Sequence, residues 1–135
     1  MGRVNTKKHE SGILEVSIGE GKHRVNGKAV MAGKDLVVSI QGGERHHIGA
    51  VALAVPRPSL KDPKSISATA SVLTLTGHKE DELAKPISLK IAKELRCVTV
   101  VVIGVHIEKA SKKDIEKMVA NSKRATTFLI RKIKK

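Results

Sequence analysis

The sequence predicts an α+β domain in which helices cover one face of a mixed, mostly antiparallel sheet. Residues 68–75 are rich in β-branched and apolar side chains, residues 80–95 have helical spacing, and residues 98–105 are almost continuously apolar. These segments form a strand, a crossover helix and a second strand. A second helical pattern begins near residue 112, so the chain is predicted to end in a βαβα unit.

The first third of the chain contains short strand patterns. Residues 1–11 are polar and basic, and we expect a flexible basic arm or an early edge segment. A single domain is expected over residues 12–122, beginning with the alternating strand Ile13 to Ile18. Residues 19–32 are ambiguous, because Asn26-Gly27 is a hairpin signal and one long bulged strand fits equally well.

The middle of the chain should add strands to the sheet. A turn at Gly33-Lys34-Asp35 precedes the strand 36–41, and a short glycine-rich loop leads to the strand 48–55. Because the loop is short, we expect these two strands to pair antiparallel. Pro56 and Pro58 should end the second strand, since proline removes donors from the ladder.

Both helices carry recognisable signals. Glu80, Asp81 and Glu82 suit the positive end of a helix dipole, and Pro86 predicts either a kink or a later helix start. Ser111 with Asp114 three residues later is typical of an N-cap for the last helix. Residues 123–135 are predicted to be the basic end of that helix, and the uncovered sheet face should be aliphatic enough to favour a homodimer.

Composition limits the possible functions. Only one aromatic residue of the Phe, Trp and Tyr class is present, which argues against modules that stack nucleic-acid bases on aromatic rings. Lys and Arg number 26 against 13 Asp and Glu, a net charge of +13. This balance favours an anionic partner, namely nucleic acid, a phosphorylated small molecule or an acidic protein surface. Because the charge is scattered, a basic surface with no partner, or an adaptation to growth conditions, fits as well.

The lone cysteine and the hydropathy pattern indicate the compartment. One cysteine, Cys97, excludes an intramolecular disulfide framework and is expected to be a core residue in a reducing environment. No apolar run approaches the roughly 18 residues of a membrane span. We therefore expect a cytoplasmic protein that does not contact a membrane.

Histidines cluster at the predicted strand ends. If the strands 48–55 and 68–76 are antiparallel neighbours, His46 and His47 meet Gly77-His78, and the crossover brings His106 to the same rim. A glycine-lined edge at the start of a helix suits a phosphate or another anion. It also suits a metal held by His46, His47, His78 and His106, although the spacing matches no specific metal motif. Ordinary loop histidines are the third possibility.

Three segments around these histidines resemble a known family. HHIGAVALAVPRPSL, SATASVLTLTGHKEDELA and VTVVVIGVHIEKASKKDIEKMV occur in this order and resemble the LpdD-like family, the small D-subunits of UbiD-type hydroxyarylic acid decarboxylases. The resemblance covers about residues 33–120. The glycine-rich stretch 19–29 and the basic tail 121–135 depart from what the family leads us to expect.

The resemblance implies a function and a set of ligand contacts. Members of that family are regarded as chaperones or carriers of prenylated FMN, the cofactor of the large decarboxylase subunit, and are not regarded as the enzyme. By position, the implied cofactor-binding residues are His47, Gly49, Arg57, Gly77, His78, Lys79 and His106. Arg57 and Lys79 would hold the phosphate, but Arg57 is at the far end of its strand from His47, so its role requires a dimer.

Two other functions remain open at this stage. A basic nucleic-acid-binding module would place its cations on one continuous face. A small metal-dependent enzyme would use the histidine rim to hold a transition metal and a nucleophilic water.

Overall fold

The computed structural model of the chain describes residues 3–8, 12–75 and 80–134. Within these ranges the chain forms one sheet of seven strands and two α-helices, α1 (Asp81–Leu95) and α2 (Lys112–Lys134). A short 3₁₀-helix, Gly21–His23, precedes the third strand. The strands are β1 (Val4–Lys8), β2 (Ile13–Ile18), β3 (Val25–Ala32), β4 (Asp35–Gly43), β5 (Ala50–Pro58), β6 (Ile66–Thr74) and β7 (Thr99–His106), with α1 between β6 and β7.

The sheet topology confirms the predicted fold class. Strands follow one another in the order β1-β2-β3-β4-β7-β5-β6, and all neighbours are antiparallel except β4 and β7. The predicted pairing of the strands 36–41 and 48–55 is wrong, because β7 lies between β4 and β5 and pairs with both. The loop 44–49 therefore crosses the end of β7 and does not close a hairpin.

The hydrophobic core lies between the sheet and the two helices, which pack on the same face as predicted. A row of almost completely buried aliphatic residues crosses five registered strands: Leu14, Ala29, Val38, Val101 and Ala52. The helices cover this row with Ile87, Ile91, Met118, Leu129 and Ile130. The burial of aliphatic area supplies the main stabilisation of the fold.

The ambiguous stretch 19–32 contains no hairpin. Asn26 and Gly27 lie inside β3, opposite Ser17 and Val16. A Cβ on Gly27 would lie 3.0 Å from Leu129 Cδ1, so glycine here lets α2 approach the sheet closely. Residues 19–24 connect β2 to its antiparallel neighbour β3, and the chain turns again at Gly33, as predicted, where a φ of 64° favours glycine.

Other boundaries also differ from the expectations. Residues 4–8 form the edge strand β1, which agrees with the early edge segment expected there and not with the flexible arm. The strand β5 continues through Pro56 to Pro58, because pairing with β7 stops at Ala54 and no donor is needed on that side. The helix α1 begins at Asp81, ahead of Pro86.

The C-terminal helix belongs to the core along most of its length. Residues beyond 122, predicted as the basic end of this helix, include four buried side chains: Ala125, Thr126, Leu129 and Ile130. A domain ending at residue 122 would lack these contacts. Neither described helix combines the length and the apolar character that crossing a membrane requires.

The uncovered face of the sheet has two different halves. Over β2, β3 and the end of β4 it is polar and includes an ion pair between Lys28 and Glu15, with 3.2 Å between Nζ and Oε1. Over β7, β5 and the start of β4 it is aliphatic, and Val37, Leu53 and Val55 are each more than two-fifths exposed.

Candidate functional site

The candidate site lies where β7 ends and α1 begins. The loop 44–49 crosses this end of the sheet, with Glu44 N–H donating to the carbonyl of His106 (2.7 Å) and Gly49 N–H donating to that of Ile103 (2.9 Å). These bonds bring the imidazoles of His47 and His106 together. Their ring centroids are 6.2 Å apart in an edge-to-face arrangement. Two of the four histidines predicted to converge are therefore neighbours.

The His47 side chain is held in one orientation. Its Nε2 is hydrogen-bonded to Oε1 of Glu80 (2.9 Å), and both side chains are largely buried. The backbone N–H of His47 donates to Oε1 of Gln41 (2.9 Å). Glu80 is the N-cap residue of α1, so this contact ties the start of the helix to the loop. The acidic run that sequence analysis assigned to the helix dipole thus supplies a specific partner for a predicted site residue.

Two glycines make this close packing possible. A Cβ on Gly49 would lie 2.4 Å from the carboxyl carbon of Glu80, and one on Gly104 would lie 1.8 Å from the carbonyl oxygen of His47. Both positions exclude a side chain because protein atoms fill the space. Gly49 was predicted to let a ligand approach the backbone. The carboxylate of Glu80 occupies that space here.

An open cleft adjoins the histidine pair. Its volume is about 440 Å³, and it lies between the start of α1, the end of β7 and the first half of α2. His106 forms part of its wall, and most of the wall is apolar, including Leu83, Val105, Ile107, Met118 and Val119. Its charged lining residues are Glu80, Glu82, Asp114 and Lys123. The space is therefore an apolar slot with acidic groups around it, within the size range of small-molecule sites.

A second histidine–carboxylate contact borders the same cleft. Nε2 of His23 lies 2.7 Å from Oδ1 of Asp114, and Lys22 adds a longer contact of 3.5 Å. Asp114 also forms the predicted capping interaction, because its Oδ2 accepts the N–H of Ser111 and its own N–H donates to the Ser111 hydroxyl. The Ser111 backbone donor, followed by the contact with His23, holds the pKa of Asp114 well below its ordinary value.

The remaining predicted site residues do not join the histidine pair. Arg57 is eight residues along β5 from Gly49, roughly 26 Å at the rise of a strand. Its guanidinium donates to the Thr69 hydroxyl (2.7 Å) and to the carbonyl of Pro58 (3.1 Å). His46 is exposed and lines a pocket of about 260 Å³ on the polar half of the open face, with Arg24 and Gln41. Gly77, His78 and Lys79 lie outside the described residues.

The metal hypothesis receives no further support from the geometry. Within residues 3–8, 12–75 and 80–134, no group of three His, Cys, Asp or Glu side chains is arranged to hold an ion. His78, a member of the predicted set, is not in these ranges. His106 contacts the exposed Glu108 through Nε2 (3.1 Å).

Sequence reasoning missed the cleft itself. Met118 and Val119 have the spacing of a buried helix stripe, and nothing in this spacing distinguishes a wall of a cleft from a core position. Glu80 was visible as a charge at a helix start. Its contact with His47 depends on a loop that crosses β7, and the short-loop rule predicted a hairpin there.

Comparison with known proteins identifies the family. The model for the prenylated flavin chaperone LpdD-like domain matches residues 19–134. No curated protein matches the sequence significantly. The matched range is longer than the resemblance seen in the sequence and includes the glycine-rich stretch and most of the basic tail, so the family extends through both. The chain belongs to the LpdD-like family of prenylated flavin chaperones.

Proposed function

We propose that this protein binds prenylated FMN in the cleft between α1 and α2 and delivers it to a UbiD-type decarboxylase. One observation carries the location: His106 contacts His47 and also forms part of the wall of the 440 Å³ cleft. A predicted polar contact and this apolar slot therefore share a side chain. The protein acts as a carrier in this proposal and performs no chemistry on the flavin.

The cleft suits the ring system of a prenylated flavin. The flat faces and the added prenyl group need apolar walls, which Leu83, Val105 and Met118 supply. Methionine adapts its shape to a bound ring more easily than branched residues do. The polar ring edge requires a hydrogen-bonding group at one end of the slot, and His106, whose ring lies against that of His47, provides it.

The charges around the cleft set the orientation of the ligand. Glu80, Glu82 and Asp114 repel a phosphate, so the ring enters the slot and the phosphate points outwards. Lys123 is the cation on the described part of the wall. Lys79, proposed as a phosphate contact from the family resemblance, follows β6 in sequence and keeps that role in the proposal. Arg57 is able to contact the phosphate only across a dimer interface.

A flavin titration tests this site. Anaerobically prepared prenylated FMN, with FMN as a comparison ligand, is titrated against wild type, His106→Ala and His47→Ala, and binding is followed by flavin fluorescence. His106→Ala should weaken binding by about ten- to a hundredfold, because a polar contact to the ring is lost. His47→Ala should weaken it by about tenfold or more, because His106 loses the imidazole that positions it. His46→Ala is the matched control, since this neighbour lines the other face and should bind like wild type.

The outcomes separate the parts of the proposal. Equal affinity for wild type and both substituted proteins would remove the histidine pair from the site. Met118→Lys places a charge in the slot, and unchanged binding by this variant would show that the ring sits elsewhere. Circular dichroism confirms that each variant is folded.

The partner contact is proposed for the exposed cations of the last helix. Lys123, Arg131 and Lys132 are exposed on α2 while its other side is buried, so they can meet an acidic surface of the decarboxylase. Truncation after Ser122 does not test this idea, because it removes core residues. Lys132→Glu leaves the core intact and should weaken the complex in pull-down or calorimetry while flavin affinity stays unchanged. An unaltered complex would contradict this docking surface.

The cytoplasm is the compartment in which we propose that the flavin is transferred.

A further inference from the structure

The two edges of the sheet differ in how they are protected. β1, at one edge, has five residues, of which the last two are lysines. β6, at the other edge, has nine residues, ISATASVLT, with no charge and no proline. Proteins usually blunt an exposed edge with lysine, proline, a bulge or a short strand. β6 has none of these features, and its register with β5 is continuous from Ile66 to Thr74.

The outer side of β6 presents a regular set of backbone groups. Leu75 N–H donates to the carbonyl of Gly49 (3.0 Å), and Ser59 N–H donates to that of Ser65 (2.9 Å). Residues of an antiparallel strand alternate in the direction of their backbone groups. Odd-numbered residues of this strand therefore face β5, and the even-numbered ones face outwards, namely Ile66, Ala68, Ala70, Val72 and Thr74.

The sequence of β6 is self-complementary in size. An antiparallel pairing of two copies centred on Ala70 places Ala68 opposite Val72 and Ile66 opposite Thr74 on the helix side. On the open side it places Thr69 opposite Ser71 and Ser67 opposite Leu73. In each unequal pair a larger side chain meets a smaller one, so no pair is crowded.

Charge limits where two copies of the chain can meet. Two chains of net charge +13 repel each other over most of their surface. β6 is a neutral segment, and exposed hydrophobic residues cluster around it, with Leu73 76% exposed and Leu60 89% exposed. A neutral edge bordered by exposed apolar side chains is where two copies approach at the lowest electrostatic cost.

We propose that two copies of this chain pair through their β6 strands, antiparallel about a two-fold axis at Ala70, to form one continuous sheet. The pairing is isologous and closes after two subunits. It leaves the cleft and the basic side of α2 available in each subunit. The dimer is independent of flavin binding and stands apart from the proposed function.

A proline substitution tests the pairing directly. Ala70→Pro removes an N–H that faces outwards and leaves the bonds to β5 intact, so the subunit should stay folded and become monomeric. Ser71→Pro is the matched control, because its N–H faces β5 and its loss should destabilise the fold. Sizing with light scattering at tens of micromolar gives the mass, and thermal unfolding gives the stability.

Charged substitutions provide a second test if Ala70→Pro does not fold. Thr69→Lys with Ser71→Lys puts like charges opposite each other across the axis and should give a monomer. Thr69→Lys with Ser71→Glu has the same number of changes and should restore the dimer.

Three results would overturn the proposal. A monomeric wild type would exclude the dimer. A folded Ala70→Pro dimer that Leu53→Lys dissociates would assign the interface to the open aliphatic face. Dimers of equal strength in both charge variants would exclude the register about Ala70.

Discussion

The starts of the two helices carry similar contacts, but these contacts have different surroundings. Each start is tied to a segment that connects two strands by a histidine–carboxylate contact: His47 with Glu80 at α1, and His23 with Asp114 at α2. Asp114 is also half of a capping interaction with Ser111. Glu80 makes no such side-chain cap and instead packs against Gly49 beside His106. The same pair of groups is thus a helix anchor at α2 and, at α1, a support for the histidine in the cleft wall.

The difference shows why residue type alone does not identify a site. Both carboxylates line the cleft, and both histidines are mostly buried. His23 turns its ring toward a helix cap, where Asn121 also donates to its carbonyl (2.8 Å). His47 places its ring against a second imidazole at the cleft wall. Both histidines contact a carboxylate, so this contact does not distinguish the structural role of His23 from the binding role that we propose beside His47. Their other neighbours do.

The largest expected effect is a loss of stability from a substitution beside the His47–Glu80 contact at the start of α1. Gly104→Ala places a Cβ 1.8 Å from the backbone oxygen of His47, which a rotamer change cannot relieve. We expect a loss of roughly 3 kcal/mol or more in unfolding free energy, measured by chemical denaturation. Gly27→Ala is the control, because its nearest atoms are side-chain methyl groups at 3.0 Å, and it should cost less. Equal costs would mean that the loop 44–49 moves freely away from β7.

The next effect concerns the α2 side and depends on pH. Because the pKa of Asp114 is lowered in the folded state, its carboxylate stabilises the fold above the ordinary pKa near 3.8, and this contribution is lost as pH falls below that value. Asp114→Asn should therefore lower the melting temperature by several degrees at pH 7 and by progressively less in acid. Glu116→Gln, at an exposed position of the same helix, should show no such trend. A constant difference at all pH values would show that the carboxylate charge is not responsible.

The smallest expected effect is that the two histidine substitutions change different properties, stability for His23 and flavin affinity for His47. His23→Ala should lower the melting temperature while the folded protein binds prenylated FMN like wild type, because His23 supports a helix cap. His47→Ala should lower flavin affinity by about tenfold or more, with its stability measured in parallel. If His23→Ala weakened flavin binding as much as His47→Ala, the two helix starts would form one functional unit and the distinction would fail.

Sequence patterns predicted the fold class because local periodicity reports burial. The alternation of Ile13 to Ile18, the helical spacing of residues 80–95 and the apolar run 98–105 each record which side faces the core. The Ser111–Asp114 cap and the turn at Gly33 were also readable, since both depend on residues adjacent in the chain. The convergence of His47 and His106 followed from the predicted strand directions, because the strand that begins after His47 runs antiparallel to the strand that ends at His106.

Tertiary structure alone decided how distant segments fit together. The short loop between β4 and β5 predicted that these two strands pair. In the structure β7, which comes later in the chain, lies between them, parallel to β4 and antiparallel to β5. Gly27 lies within a strand because α2 needs the space above it, and the terminal residues of α2 complete the core. Glu80 meets His47 only after that loop crosses the sheet end. Such contacts depend on packing between segments far apart in sequence, which local propensity does not encode.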